Sequence, residues 1–115
     1  MRDLVIASQL LPSKKLMIVR LSGSINSCNF QRLEEAIENI FAQGFYRLLF
    51  DMGEVHEIAL PGLGVFLNAL LAAQRNGGSI VFANASPTLR GMLEMFELTS
   101  EFTLAENRQV ALAAF

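Results

Sequence analysis

The sharpest hydrophobic pattern in the chain lies between residues 30 and 41. Phe30, Leu33, Ile37, Ile40 and Phe41 recur at spacings of three and four, with Gln31, Glu34, Glu35 and Glu38 between them. That periodicity predicts an amphipathic helix with one buried face. Asn29 or Ser27 stands where an N-cap belongs and Gly44 where a C-cap belongs. Two short apolar runs come first, Leu4–Ala7 and Leu16–Leu21, on either side of a Pro12-Ser13-Lys14-Lys15 turn. They predict an antiparallel hairpin, ended by Ser22-Gly23-Ser24. After the helix, Tyr46–Phe50 is apolar except for Arg47 and reads as a strand buried under helices. Asp51 closes it, and Val55-His56-Glu57-Ile58 reads as a short link.

A second helix is expected over Leu63–Arg75, stopped by Gly77-Gly78. It is apolar almost all round, and Asn68 and Arg75 interrupt it seven residues apart, on a shared face. Such a helix is deeply buried or partly offered to a partner. Ser79–Ala83 reads as the next strand. Ser86-Pro87 opens a third helix as cap and first helical residue, with Leu89, Met92, Leu93 and Phe96 on its inner face. Phe102-Thr103-Leu104 predicts a last strand and Asn107–Phe115 a last helix. The order β-β-α-β-α-β-α-β-α implies an α/β fold: a mixed sheet made of an opening hairpin and then parallel crossovers, packed with about four helices. The whole chain, residues 1–115, reads as one domain.

Composition narrows the function. Charged residues make up 17% of the 115 positions, against roughly 25% in ordinary soluble domains, so some apolar surface should remain exposed. The net charge of −2 and the scattered Lys and Arg residues argue against a nucleic-acid footprint, which needs clustered cations. One cysteine, Cys28, allows no internal disulfide, and one histidine, His56, makes a metal site improbable. No cofactor is implied, and a reduced, cytoplasmic setting fits. Met1–Ile6 does not read as a signal peptide. Leu60–Ala73 is too short and too interrupted for a bilayer span of about 20 residues, so no membrane insertion is expected. No Ser-His-Asp spacing, Cys-His pair or phosphate-binding glycine pattern suggests an enzyme.

Four segments carry a family resemblance, the last of them Leu93–Phe102, which resembles an L-x-x-x-G-L-x-x-x-F end. Asp51-Met52-Gly53-Glu54-Val55-His56-Glu57-Ile58-Ala59-Leu60-Pro61-Gly62-Leu63-Gly64-Val65 resembles a strand ending in Asp followed by an Asp-Ser-Ser-Gly-Leu helix opening. Val19-Arg20-Leu21-Ser22-Gly23-Ser24-Ile25-Asn26 resembles a strand end of the form L-x-G-x-L-D, and Asn76-Gly77-Gly78-Ser79-Ile80-Val81-Phe82-Ala83-Asn84 a G-G-x-L-x-L-x-N strand. In this order they resemble the STAS domain, a fold shared by anti-sigma factor antagonists and sulfate transporters. Phosphorylated members of that family accept phosphate from a partner kinase on the first Ser of the helix opening. Here Ala59 stands at the Asp position, Leu60 at the phosphorylated Ser and Pro61 at the next Ser, and Asn26 replaces the upstream Asp. None of residues 59–61 has a hydroxyl to phosphorylate.

The resemblance implies a protein-binding module whose partner is an anti-sigma factor, a serine kinase of that kind or a related regulator. Ile58, Ala59, Leu60, Pro61, Gly62, Gly64 and Asn68 are the candidate contact residues. Asn26 and Asp51 are candidates for a small pocket, for a nucleotide, a lipid or a partner's base. Catalytic and metal-binding residues are absent from the expectation. Ser22, Ser24 and Ser27 are minor alternatives as phosphosites. His56 and Cys28 read as structural, and Arg75 as part of a solvated stripe. A structural role in a larger assembly, such as a lipid ABC transporter or a stress-signalling complex, is the alternative function, and the apolar second helix leaves a homodimer open.

Overall fold

The computed structural model describes residues 3–115, so Met1 and Arg2 of the N-terminal segment lie outside the described residues. Its elements are β1 (Val5–Leu11), a 3-10 turn (Pro12–Lys14), β2 (Leu16–Ile25), α1 (Phe30–Ala42), β3 (Arg47–Ile58), α2 (Leu60–Arg75), β4 (Ser79–Ala83), α3 (Pro87–Met95), β5 (Thr103–Ala105) and α4 (Arg108–Ala113). The five strands form one sheet in chain order. β1 and β2 run antiparallel and each later neighbour is parallel, as the hairpin-then-crossover order predicts.

Strand alternation sorts the side chains onto two faces. Met17, Val19, Leu21, Leu48, Phe50, Ile80 and Phe82 meet α1, α2 and α3 in the main core. Leu16, Ile18, Leu49, Val81 and Ala83 face the other way and meet α4 through Ala111. At the centre of the main core Phe50, Phe66 and Phe82 are fully buried, with ring centroids 5.2–5.4 Å apart. Edge-on and offset geometries at that spacing suit the ring quadrupoles.

Several boundaries differ from the sequence reading, each for a physical reason. β1 extends to Leu11 because Ser8 and Gln9 sit on an outer strand, where polar side chains reach water. The supposed link Val55–Ile58 is the end of β3. Two register shifts against β2 break the period of two there, so Met52, Val55 and Ile58 are buried at spacings of three. Ladder bonding to α1 begins at Asn26, whose C=O accepts from the N–H of Phe30 at 3.0 Å. Asn29, one of the two expected candidates, is the N-cap of α1, although its own side chain makes no cap bond into the helix. Asn26 Oδ1 accepts from the N–H groups of Cys28 (2.8 Å) and Asn29 (3.1 Å), and Asn29 Oδ1 accepts from the Asn26 N–H at 2.9 Å. These reciprocal bonds close the turn that leads into α1. Gly44 ends α1 at φ +89, as expected of a left-handed C-cap, and the Phe45 N–H donates to the Ile40 C=O.

Candidate functional site

The corner between β3 and α2 is built from backbone. The Ala59 N–H donates to the Ile25 C=O at 2.7 Å, tying the corner to the end of β2. Ala59 is the extended N-cap of α2, and its C=O accepts from Gly62 and Leu63. Its methyl offers no capping hydrogen bond. Leu60 is the first helical residue and Pro61 the second, where its missing N–H removes one of the orphan donors of a helix start. Gly62 is required by packing: a Cβ there would lie 2.6 Å from Ile25 Cγ2. The close approach of α2 to β2 depends on that missing atom.

The candidate contact residues thus divide. Ile58 and Gly62 are buried and build the corner from within, so neither residue offers a partner a contact surface. Ala59 is half-buried. Pro61 and Gly64 are exposed, and Leu60 is 57% exposed. Leu60, Gly64, Leu67 and Leu71 follow at i, i+4, i+7 and i+11, which aligns them on one outward stripe of α2. Asn68 lies beside that stripe, in a second groove between α1 and α2 that Glu34, Phe41 and Arg75 also line. α2 therefore has two distinct outer faces, and the structure does not place Asn68 with Leu60.

Asn26 and Asp51 belong to separate networks. Asn26 closes the turn that leads into α1. Asp51 points to the α4 side of the sheet, where Arg108 donates to Oδ2 at 2.9 Å, while Asn84 Nδ2 and the Gly53 N–H donate to Oδ1, each at 3.2 Å. Burial pushes the Asp51 carboxyl up, but these hydrogen bonds and the Arg108 charge outweigh it and hold the group below its ordinary value of 3.8. A depressed carboxyl stabilises the fold fully above its unfolded pKa and loses that contribution as pH falls through the folded one. Asp51→Asn is expected to lower stability by about 1 kcal/mol at neutral pH. The deficit should fade as the pH drops below 3.8. Urea titrations of both proteins at neutral pH and near pH 3 check this; a deficit that is unchanged by acid would contradict it.

Among the other candidates, Ser24 is buried and Ser22 half-buried, whereas Ser27, Cys28 and His56 are exposed. Among the described residues no cluster of His, Cys, Asp and Glu is arranged to hold a metal, and no helix is long and apolar enough to cross a membrane. Sequence reasoning missed two features. Arg108 was not paired with Asp51, because 57 residues separate them. Phe96 was placed on the inner face of the third helix, but α3 stops at Met95. Glu97 turns left-handed at φ +56, and the Leu98 N–H returns to the Leu93 C=O at 2.7 Å. That C-terminal cap swings Phe96 outward, 46% exposed, beside Met95 at 76%. With Leu98 it joins Leu60, Leu63, Gly64 and Leu67 around an apolar groove of about 220 Å³.

A mixed five-stranded sheet with helices on both faces and a hydroxyl-free start to α2 define a small α/β fold. Residues 9–111 match the STAS domain, and the chain belongs to the STAS domain family. A Bordetella bronchiseptica protein named as a candidate anti-sigma factor antagonist, BtrV, is 30% identical over 100 residues, covering 87% of this chain and 86% of its own. Among solved structures, a candidate anti-sigma factor antagonist of Thermotoga maritima superposes with a TM-score of 0.88 at 14% identity, over 95% of this chain and 92% of that one. The unphosphorylated anti-sigma factor antagonist SpoIIAA, from Bacillus, superposes with a TM-score of 0.76 at 14% identity, over 96% of each chain. These structural likenesses establish the fold.

Proposed function

We propose that this chain is a non-enzymatic, cytoplasmic protein-binding module of the anti-sigma factor antagonist type. Its partner is an anti-sigma factor or serine-kinase-type regulator, which docks on the entrance of α2. Binding there is not switched by phosphorylation at the family's usual position. The observation that carries this reading is Leu60: an aliphatic side chain, 57% exposed, on a corner held by backbone bonds to β2. A phosphate at a helix N-terminus is well held and adds nearly two negative charges. Ala59-Leu60-Pro61 keeps the helix start and removes every acceptor for that phosphate.

The test is incubation of the full chain with an anti-sigma serine kinase and ATP, followed by intact-mass measurement. The expected mass is unchanged. Stoichiometric phosphate that also blocks partner binding would overturn the reading. The outward stripe of Leu60, Leu67 and Leu71 gives some support to the second reading, a permanent subunit of a larger assembly or a homodimer. Gel filtration separates the two: a clean monomer at high concentration fits a module that exchanges partners.

A further inference from the structure

The α2–α3 groove has an unbalanced surround. Its wall is apolar: Leu60, Leu63, Gly64 and Leu67 from α2, and Phe96 and Leu98 from the end of α3. Its volume, about 220 Å³, falls short of the roughly 300–1,000 Å³ of small-molecule pockets. An inserted apolar side chain suits it better than a free ligand. The charged residues that adjoin its wall residues in the chain are all acidic. Glu57 precedes Leu60 by three residues, Glu97 lies between the wall residues Phe96 and Leu98, and Glu94 and Glu101 flank them, all exposed. No Lys or Arg occurs from Leu48 to Gln74 or from Gly91 to Asn107. Along the chain the cations closest to the wall residues are Arg75, at the far end of α2, and Arg90, one turn back along α3 from Glu94.

We propose that this groove receives an apolar anchor residue from a partner segment whose flanking residues are Lys and Arg. The inference rests on the docking surface proposed above and adds the partner's chemistry. Desolvating the anchor supplies affinity, and the acidic rim supplies orientation, on-rate and discrimination against acidic segments. Met95, next in the chain to the wall residue Phe96 and exposed, is a flexible side chain suited to anchors of different shape.

The probe is a pair of synthetic amphipathic helical peptides with the same leucine face, one carrying Lys and the other Glu at the remaining positions. Amide shifts of the full-length protein are followed by NMR. The Lys peptide is expected to move Leu60, Gly64, Leu67, Phe96 and Leu98, and to bind at least about tenfold more tightly than the Glu peptide at low salt, an advantage that shrinks with added salt. Reversing the rim with Glu94→Lys and Glu101→Lys should invert the preference and leave the fold intact, since both positions are exposed. Equal binding of the two peptides at the groove would overturn the charge selection and leave the docking surface standing. Shifts centred elsewhere would overturn both. A Lys peptide with its leucines changed to serine should not bind; if it does, the anchor has no role and the proposal fails.

Discussion

Phe82→Ala is expected to destabilise the domain by about 3–5 kcal/mol, the range for removing a fully buried aromatic ring. Phe82 contacts Phe50 and Phe66 at 5.4 and 5.2 Å and also Phe102 at 5.1 Å. It therefore joins β4, β3, α2 and the segment leading into β5. Its loss opens a cavity where the sheet meets α2, and the neighbours cannot fill it because they are held by other strands. Against a total stability of about 5–15 kcal/mol, this removes at least a fifth of the stability and more in a marginal domain. The melting temperature should fall by about 10–20 °C, which calorimetry measures. A fall of only a few degrees would mean that the ring cluster is not the centre of the core.

Leu60→Glu is expected to weaken partner binding by about 1–3 kcal/mol, roughly five- to 150-fold, and to leave stability unchanged or slightly raised. The two effects separate because they arise from different surroundings. A carboxylate in the first turn of a helix is favoured by the helix dipole, and Leu60 is exposed, so the isolated fold loses little. In a complex the same carboxylate is desolvated in an apolar groove without a partner, which costs free energy. Leu60→Ala should rank between the two, because it loses contact area and adds no charge. Calorimetric titration against the partner, with thermal melts of each variant, reads both effects. Unchanged affinity for Leu60→Glu would place the interface elsewhere.

Most of the fold was legible in the sequence because most of it is local. The helix around Leu33, Ile37 and Ile40 is a clean period, the glycines at 44 and 77 sit at helix ends, and Ser86-Pro87 is a helix start whose cap bond to Leu89 is present at 3.2 Å. The misreadings arose where tertiary pairing overrode a local period. β3 continues to Ile58 because it pairs with β2 through two shifts of register, each with one extra residue on β3, and those extra residues break the alternation by which a strand is recognised.

The candidate site was partly legible. The family pattern located the start of α2 and the lost acceptor. It did not reveal that Ile58 and Gly62 face inward while Leu60 faces out; that depends on how close α2 packs to Ile25. The groove was invisible for another reason. It is completed by Phe96 and Leu98, some 36 residues beyond Leu60, turned into place by a left-handed Glu97 that no glycine announces. Asp51 was singled out as a possible ligand group, and its partner Arg108 comes from a helix on the opposite face of the sheet.

The central claim is that the outward stripe of α2 and the end of α3 form the docking surface. The most direct measurement is amide hydrogen exchange of the free chain and of its complex with the partner captured from the native cell. New protection should concentrate at residues 60–71 and 96–98. Protection confined to the β1 edge or to α4, with the start of α2 exchanging as fast as in the free chain, would contradict it.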